Sequence, residues 1–408
     1  MTVHGAAAMS SRERLLTALG RGVPDRLPAT THHLMPAFLR AMGGLSEREF
    51  FDRYALDAIR WATPLRTGIG WQADPRWDSA LESWSHVSAS WRVERAPVPS
   101  RDFRAVRYEF VTPRKALSMV LQDDGRTTWV AERLLKTKSD IDVIAEFAPA
   151  PACDTASVEA ARAAIGDRGI VRGAIPGVPV YGQPGCWQDA AVLLGIEELI
   201  VRTYDDPEWV RALLGILRDR KLAFVRSARG APFDLLELGG GDASSTVVSP
   251  KIFDRFVAPF DAPVVEAAHD AGQRIVYHTC GGMMPLLERI ADMAPDAMET
   301  FTPKDMGGDA RLAEAKARIG TRVCMIGGFD QFHYFTRCTP EDTRRAVRAA
   351  FDQAGAGGGF ILAPSDHFFE ADDALLRAFG DEARRCCYRG RPPAASEGQA
   401  RSGPSPGV

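Results

Sequence analysis

Two side chains that commonly bind metals stand two residues apart in the segment "IVYHTCGG", residues 275–282. His278 and Cys280 follow strand-forming residues, and alternate residues of a strand point to the same side. An imidazole nitrogen and a thiolate on one face can bind one Zn²⁺ at ~2.0 and ~2.3 Å. A third protein ligand must then come from another strand, and the candidates are Asp366, Glu299, Cys324 and His367. The alternative is a buried structural histidine beside a small apolar cysteine.

Other ionisable side chains stand at the ends of predicted strands, where the chemistry of a parallel barrel collects. The candidates for catalysis are Glu237, Glu299 and His33. The candidates for substrate binding are Tyr181, Asp242, Asp330 and His367. Asp330 is also a candidate cap of a turn or helix. His32 and His33 are neighbours in a predicted strand, so at most one of them is expected to face the barrel mouth.

The elements that must position these side chains alternate between apolar strands and helices, a pattern typical of a parallel sheet. Seven strands are predicted near residues 27, 170, 234, 274, 297, 322 and 359, and one more within 45–150 would complete eight. We therefore predict an α/β fold with a single (β/α)8 TIM-type barrel over residues 1–388 and a disordered tail over 389–408. An open doubly wound sheet is the structural alternative, but no glycine-rich phosphate fingerprint follows the first strand.

The region from 45 to 150 is less regular and is predicted to elaborate one end of the barrel. The segment "ALSMVLQDDGRTTWVAERLL" has alternating residues on both sides of Asp124 and Gly125, which is the pattern of a β-hairpin. Ahead of this region, "SSRERLLTALGRG" predicts a helix that begins after a serine cap and ends at glycines.

Composition narrows the classes of partner. The formal net charge is −3, which indicates neither a nucleic-acid surface nor a polybasic membrane patch. Seven scattered cysteines form no even framework, so a reducing, cytoplasmic location is expected. No stretch has the ~18 consecutive apolar residues of a membrane span, and the first residues lack the apolar core of a signal peptide.

Several of these segments together resemble the uroporphyrinogen decarboxylase superfamily. The resemblance is carried by "RERLLTALGRGVPDRLP", "SPKIFDRFVAPF", "HTCGG", "VCMIGGFDQ" and "GGFILAPSDH". It is good over roughly 170–385 and weak over 45–150. The His-x-Cys pattern resembles the zinc-dependent branch that moves methyl groups between a corrinoid and a thiol or another acceptor. The resemblance implies a barrel, Zn²⁺ as cofactor and a corrinoid as co-substrate on a partner protein, with homodimer formation left open.

The metal ligands implied by the resemblance are His278, Cys280 and the residue at position 366. The family has a cysteine at the last of these positions, in an Ile-Leu-x-Pro-Gly-Cys strand end, whereas this chain has Asp366 in "ILAPSD". A carboxylate can bind zinc and makes it a harder Lewis acid. The departure leaves open a changed substrate, another metal or no metal.

A metal-free carboxy-lyase is the competing interpretation. In it Glu237, Glu299 and His278 would act as acid and base on a carboxylated ring or tetrapyrrole. The porphyrinogen decarboxylases of the superfamily use an arginine-rich segment near the N-terminus, whereas this chain has "TTHHLMP" there. A barrel that binds a tetrapyrrole or zinc without chemistry is a third alternative.

Overall fold

The structure is a computed structural model that describes residues 8–62, 71–73, 84–86, 90–178 and 180–388. The predicted disordered tail over 389–408 lies outside these residues. Within them, no helix combines the length and the apolarity that a membrane crossing requires.

Thirteen strands form three sheets in the described part of the chain. The strands are β1 (Ala58–Trp61), β2 (Trp71–Ala73), β3 (Trp84–His86), β4 (Arg92–Val98), β5 (Arg104–Val111), β6 (Ala116–Asp123), β7 (Thr128–Glu132), β8 (Gly169–Ala174), β9 (Leu235–Gly239), β10 (Ile275–His278), β11 (Ala297–Thr300), β12 (Cys324–Phe329) and β13 (Phe360–Pro364).

The central sheet has seven parallel strands in the order β1-β8-β9-β10-β11-β12-β13. Every residue of β9, β10, β11 and β13 is buried, as expected where helices cover one face and side chains fill the other. The sheet confirms the α/β fold and agrees with a TIM-like arrangement. The strand predicted within 45–150 is present as β1.

The prediction of a strand near residue 27 is wrong. The segment there forms only isolated β-bridges. Ala29 pairs with Leu362 of β13. The Ala29 carbonyl also accepts a hydrogen bond of 2.7 Å from the backbone N–H of Asp57, just ahead of β1. This short segment therefore contacts both outer strands of the sheet, while an eight-stranded sheet stays a prediction. Pro28 interrupts the segment and cannot donate to a strand ladder.

An antiparallel sheet lies outside the parallel one and confirms the predicted hairpin. Its order is β4-β5-β6-β7, and β2 pairs with β3 separately. The turn between β6 and β7 has Gly125 at φ 84°, a left-handed conformation that glycine adopts without strain. Asp124 accepts hydrogen bonds from the N–H groups of Arg126 and Thr127, each at 2.8 Å, which fixes the turn.

Fifteen α-helices surround the sheets in the described residues. They are α1 (Ser11–Leu19), α2 (Pro36–Ala41), α3 (Glu47–Arg53), α4 (Asp140–Phe147), α5 (Thr155–Ile165), α6 (Cys186–Leu194), α7 (Ile196–Asp205), α8 (Pro207–Ser227), α9 (Pro250–Ile252), α10 (Ala258–Asp270), α11 (Leu287–Asp292), α12 (Leu312–Ile319), α13 (Gln331–Tyr334), α14 (Pro340–Ala354) and α15 (Asp373–Arg385). The predicted break near Asp206 separates α7 from α8, and a π-helical turn over Phe253–Val257 joins α9 to α10.

Two apolar clusters hold these layers together. The larger cluster includes Tyr108 and Phe110 of the antiparallel sheet together with Leu236 of the parallel sheet. The smaller cluster lies where α1 packs against the parallel strands, through side chains such as Leu15 and Val276. The antiparallel sheet thus shares one core with the parallel sheet. The ends of the parallel strands that lie away from α1 remain available for polar groups.

Candidate active site

Arg172 is the centre of a buried ion cluster among the parallel strands. It lies on β8 and is 1% exposed. Its guanidinium donates to Glu237 of β9 at 2.6 Å and to both carboxylate oxygens of Glu299 of β11, one of them at 2.9 Å. Burial raises the pKa of Glu299, but Arg172 and His278 outweigh it and hold that pKa well below the ordinary value. Both carboxylates are therefore tied to one cation.

His278 is oriented by one of these carboxylates. The register of β10 and β11 places His278 directly opposite Glu299. The Nδ1 atom of His278 lies 2.8 Å from Oε1 of Glu299, and its Nε2 atom lies 2.9 Å from Sγ of Cys280. Burial lowers the pKa of His278, but Cys280, Glu299 and Glu237 together raise it well above the ordinary value. Burial also raises the pKa of the Cys280 thiol, and His278 only partly offsets this. The predicted pair is thus brought together at the end of β10.

The two glycines of "HTCGG" have structural causes. Gly281 has φ 89°, and a Cβ atom there would lie 2.8 Å from Oγ1 of Thr246. A Cβ atom on Gly282 would lie 2.5 Å from Oγ of Ser245. The N–H groups of the two glycines donate to Thr302 and Thr246 at 3.1 and 2.7 Å. The turn after Cys280 is therefore fixed against two neighbouring loops, which holds the thiol at the strand end.

Three histidine rings lie beside the pair of His278 and Cys280. His32 and His33 have ring centroids 4.2 Å apart, and the centroid of His367 lies 5.4 and 4.9 Å from them. The ring of His32 also stacks on His278 at 5.0 Å, and the ring of His33 stacks on Trp61 at 3.9 Å. Burial, followed by neighbouring positive charge, lowers the pKa of His32 and His33 well below the ordinary value, so both rings are neutral at pH 7.

The expectation that only one of His32 and His33 faces the site is wrong. The chain bends at His32 and is not a strand there, so neighbouring side chains do not alternate between two faces. The indole N–H of Trp61 donates to the His32 carbonyl at 2.9 Å and fixes the bend. Both rings consequently lie in the same buried space.

Two groups of side chains could hold a metal ion in the described residues. In each, one potential ligand atom per residue lies within 4.8 Å of all the others. The first group is His32, His33 and His367, and the second is His32, Glu237, His278 and Glu299. Of the predicted metal ligands, His278 and Glu299 are brought together in the second group. Asp366 and Cys280 belong to neither group.

Asp366 lies next to the three-histidine group. Its Oδ1 atom accepts a hydrogen bond of 2.7 Å from the His367 backbone N–H and lies 3.3 Å from Nδ1 of that ring. Burial raises the pKa of Asp366, but His367 and, more weakly, His278 lower it below the ordinary value. Asp366 is therefore positioned to orient His367, and its predicted role as third zinc ligand stays a prediction.

Cys324, a candidate third ligand, lies away from the site. It pairs with Ala297 at the beginning of β11, whereas Glu299 pairs with Ile326 two residues further on. It is fully buried in the smaller apolar cluster, and burial raises the pKa of its thiol to about 12. The structure therefore contradicts Cys324 as a partner of His278.

The predicted substrate-binding residues are more dispersed. The hydroxyl of Tyr181 donates to the Thr128 carbonyl of the hairpin, and burial raises its pKa to about 12. Asp242 exchanges two hydrogen bonds with the side chain of Gln188, at 2.9 and 2.7 Å. Asp330 caps α13 by accepting from the His333 N–H at 3.0 Å, which confirms the predicted cap. Their contact with a substrate stays a prediction.

The sequence did not predict that Arg172 and Trp61 belong to the site. Arg172 interrupts the apolar strand "GIVRGA", and a charged residue in a strand buried on both faces is a signal for a buried partner. Trp61 lies opposite Arg172 in the register of β1 and β8, and the guanidinium carbon sits 4.7 Å from its ring centroid. Only the fold shows that these two residues line the same space as the histidines.

The comparisons with known proteins give the family and the fold. The family model described as uroporphyrinogen decarboxylase (URO-D) matches residues 111–369. No curated protein matches the chain. The structure of a methyltransferase from Methanosarcina mazei matches with a TM-score of 0.60 and 13% identity, over 92% of this chain and 99% of that one.

Two epimerase structures match less well. D-psicose 3-epimerase from Clostridium cellulolyticum H10 has a TM-score of 0.35 at 10% identity and covers 57% of this chain and 84% of its own. The 3-keto-D-glucoside 4-epimerase from E. coli has a TM-score of 0.34 at 13% identity and covers 57% of this chain and 86% of its own.

Proposed function

Because the chain belongs to the uroporphyrinogen decarboxylase family, we propose that it is a zinc-dependent methyltransferase of that family. It would move a methyl group between a corrinoid, carried by a partner protein, and a small thiol or other acceptor. The observation that carries the proposal is the pair of His278 and Cys280, whose Nε2 and Sγ atoms lie 2.9 Å apart at the carboxyl end of β10. The methyltransferase from Methanosarcina mazei, which shares the fold, supports it.

The His278–Cys280 pair fits part of a zinc site, although neither Cys280 nor Asp366 lies in the two groups of closely spaced ligand atoms. Glu299 accepts from Nδ1 of His278, which is the carboxylate–histidine arrangement that leaves Nε2 for a metal. Tetrahedral ligands at zinc bond lengths are roughly 3.5 Å apart, so Nε2 and Sγ need to separate by only about 0.6 Å. The predicted third ligand is Asp366, whose negative charge already acts on the Cys280 thiol.

The side chains of the site have separate roles in this proposal. Zinc would lower the pKa of a bound thiol, alkoxide or water and so supply a nucleophile near neutral pH. His278 and Cys280 would hold the metal, and Arg172 holds Glu299 in place so that the imidazole keeps one orientation. Trp61, whose ring stacks on His33 at 3.9 Å, would form a flat apolar wall for the substrate.

The contacts of Glu237 and Glu299 do not favour the carboxy-lyase alternative, although the raised pKa of His278 leaves that side chain able to donate a proton. A general acid needs a proton to give, whereas Arg172 and His278 keep the pKa of Glu299 low. Glu237 bonds to the same guanidinium. Two carboxylates that share one buried cation are better suited to fixing side chains than to transferring protons.

The test is metal content and methyl transfer, measured on the same preparations. The protein is purified without chelator, its zinc is measured by elemental analysis, and turnover is followed as the loss of methylcobalamin in the presence of a small thiol. The variant Cys280→Ser should lose about one zinc per chain and all turnover. The matched control is Cys387→Ser, whose thiol lies near the end of the described chain and contacts the Arg384 carbonyl. Full zinc and turnover in Cys280→Ser would contradict the proposal.

A third variant, Asp366→Ala, tests the predicted third ligand. Loss of the same zinc equivalent as in Cys280→Ser would support Asp366 as a ligand. Zinc retained together with turnover would remove Asp366 from the ligand set.

A further inference from the structure

The three-histidine group is built from two neighbouring segments, one that bridges to β13 and one that follows the end of β13. His32 and His33 follow the segment that pairs with β13, and His367 stands three residues after the end of β13. The Thr30 N–H donates to the Leu362 carbonyl and the Leu362 N–H donates to the Pro28 carbonyl, each at 2.9 Å, which keeps the two parts side by side. The three rings are therefore brought together by the backbone and not by a chance contact of flexible side chains.

Two ring nitrogens of this group are buried without a hydrogen-bond partner in the described part of the chain. Nδ1 of His32 and Nε2 of His367 have no hydrogen-bond partner among the residues that the structure describes. The residues His32 and His33 are only 6% and 2% exposed. A buried polar atom without a partner costs free energy, so native proteins rarely keep one unless a ligand or water completes it. Nδ1 of His32 lies 3.6 Å from Oε1 of Glu299, beside the ion cluster, so the unpartnered Nε2 atom of His367 is the one that points to an occupant bound by nitrogen ligands.

Neighbouring groups fix the orientation of these rings. Asp366 lies 3.3 Å from Nδ1 of His367, on the side away from the unpartnered Nε2 atom. Trp61 stacks on His33 and donates to the His32 carbonyl. A carboxylate behind a histidine and a packed ring beside it are the supports that metal-binding histidines commonly have.

We propose that His32, His33 and His367 bind a divalent transition metal ion, in a site separate from the His278–Cys280 pair. Three imidazoles suit zinc and its borderline neighbours, and they leave one coordination position open. Ligand nitrogens of such a metal are roughly 3.3 Å apart, which the three rings reach from within 4.8 Å of one another by small rotations. The open position would face the space shared with His278, whose ring stacks on His32.

This inference does not depend on the methyltransferase proposal. The His278–Cys280 pair contains a thiolate, whereas the three-histidine site contains only nitrogens. Cobalt(II) separates them, because a thiolate bound to cobalt gives a charge-transfer band in the near ultraviolet and imidazoles do not. Asp366 also has different roles in the two proposals, as a ligand in one and as an orienting carboxylate in the other.

The experiment is a titration of the full-length metal-free protein with Co²⁺, followed by absorption and by metal content after desalting. In Cys280→Ser, the three-histidine site should still bind about one Co²⁺ per chain with visible bands and without the thiolate band. Adding His367→Gln to this variant should remove that equivalent. His367 is suited to the substitution because its side chain is 29% exposed, so the fold should survive.

The matched control is His269→Gln in the Cys280→Ser background, since His269 is a half-exposed histidine paired with Asp296 at the surface. It should leave the cobalt count unchanged. A second variant, His33→Ala, should match His367→Gln, with circular dichroism confirming that the chain is folded. No cobalt in Cys280→Ser, or the same cobalt count with and without His367→Gln, would overturn the three-histidine site.

The two proposals fail separately in this titration. If wild type lacks the thiolate band but loses one equivalent in His367→Gln, the methyltransferase metal site fails and the three-histidine site stands. If the thiolate band is present and His367→Gln changes nothing, the reverse holds.

Discussion

At the scale of single residues, Arg172 determines the electrostatics of the site. It is a fully buried cation held by Glu237 and Glu299, and the second of these carboxylates orients His278. A buried charge pair contributes little net stability compared with an apolar pair, but removal of one partner leaves the other charges uncompensated. The sequence could predict the carboxylates from their strand ends, while their partner lies 127 positions before Glu299 and is found only through the fold.

Arg172→Met is therefore expected to lower the free energy of unfolding by about 3–5 kcal/mol, because two buried carboxylates lose their cation. The measurement is urea denaturation followed by circular dichroism. The control is Arg322→Met, whose partner Asp292 at 2.6 Å is a largely exposed surface charge, and its cost should stay below about 1 kcal/mol. Equal effects of the two substitutions would show that the buried cluster is not held by Arg172.

The histidines show what could be predicted at this scale and what could not. His278 and Cys280 were predicted to share a face from their spacing in a strand, and the structure brings them together. The same alternation gave the wrong result for His32 and His33, because Pro28 and the bend at His32 take that segment out of strand geometry. Periodicity holds only where the backbone hydrogen bonds of a strand enforce it.

At the scale of elements, the sequence predicted most of the parallel strands because each is a short apolar run between helices. The antiparallel sheet was predicted only as its β6–β7 hairpin, since β4 alternates less clearly and carries mostly exposed residues. Its attachment to the rest of the chain depends on particular polar contacts. Asp140 at the beginning of α4 accepts from Lys115 at 2.5 Å and from the Lys136 and Thr137 N–H groups at 2.7 and 2.9 Å.

Asp140→Asn should lower the free energy of unfolding by about 1–3 kcal/mol at neutral pH, because a charged acceptor with several donors is lost. Burial raises the pKa of Asp140, but Lys115 and the N–H groups outweigh it, so the folded pKa lies below the ordinary value of 3.8. The stabilisation is thus complete above pH 3.8 and is lost as the pH falls through the lower, folded pKa.

The difference in stability between wild type and Asp140→Asn should accordingly shrink on acidification below the ordinary aspartate pKa. Urea denaturation at a series of pH values measures it. The control is Asp167→Asn, an aspartate whose side chain is 82% exposed, for which no difference above about 0.5 kcal/mol is expected at any pH. A constant difference for Asp140→Asn down to the lowest pH would contradict the ionised role.

At the scale of the whole molecule, both sheets contribute to one apolar cluster. Tyr108 and Phe110 of the antiparallel sheet and Val171 and Leu236 of the parallel sheet are members of it. The prediction of one domain over residues 1–388 follows from apolar patterns along the chain, but the shared core is a tertiary property that no local pattern contains.

The two sheets are expected to unfold in one transition. Two fluorescent reporters can test this, each in a variant whose other partly exposed cysteines are replaced by serine. One fluorophore is attached to Cys338 beside α14, and the other to an introduced cysteine in the exposed turn between β6 and β7, at Arg126→Cys. Their midpoints in urea should coincide with each other and with circular dichroism. Separate midpoints would mean that the antiparallel sheet unfolds independently of the parallel strands.

Metal binding should stabilise the whole fold, because the proposed ligands come from segments far apart in the chain. His32 and His33 lie near its beginning, His278 and Cys280 in its second half, and His367 after the last strand. Free Zn²⁺ at a hundred times its dissociation constant adds about 2.7 kcal/mol per site if the unfolded chain does not bind it. The midpoint of urea denaturation should therefore rise when Zn²⁺ is added to the metal-free protein.

Mg²⁺ should leave this midpoint unchanged, since hard cations prefer oxygen ligands. The double variant Cys280→Ser/His367→Gln should show no rise with Zn²⁺, and a rise equal to that of wild type would place the bound zinc outside both proposed sites.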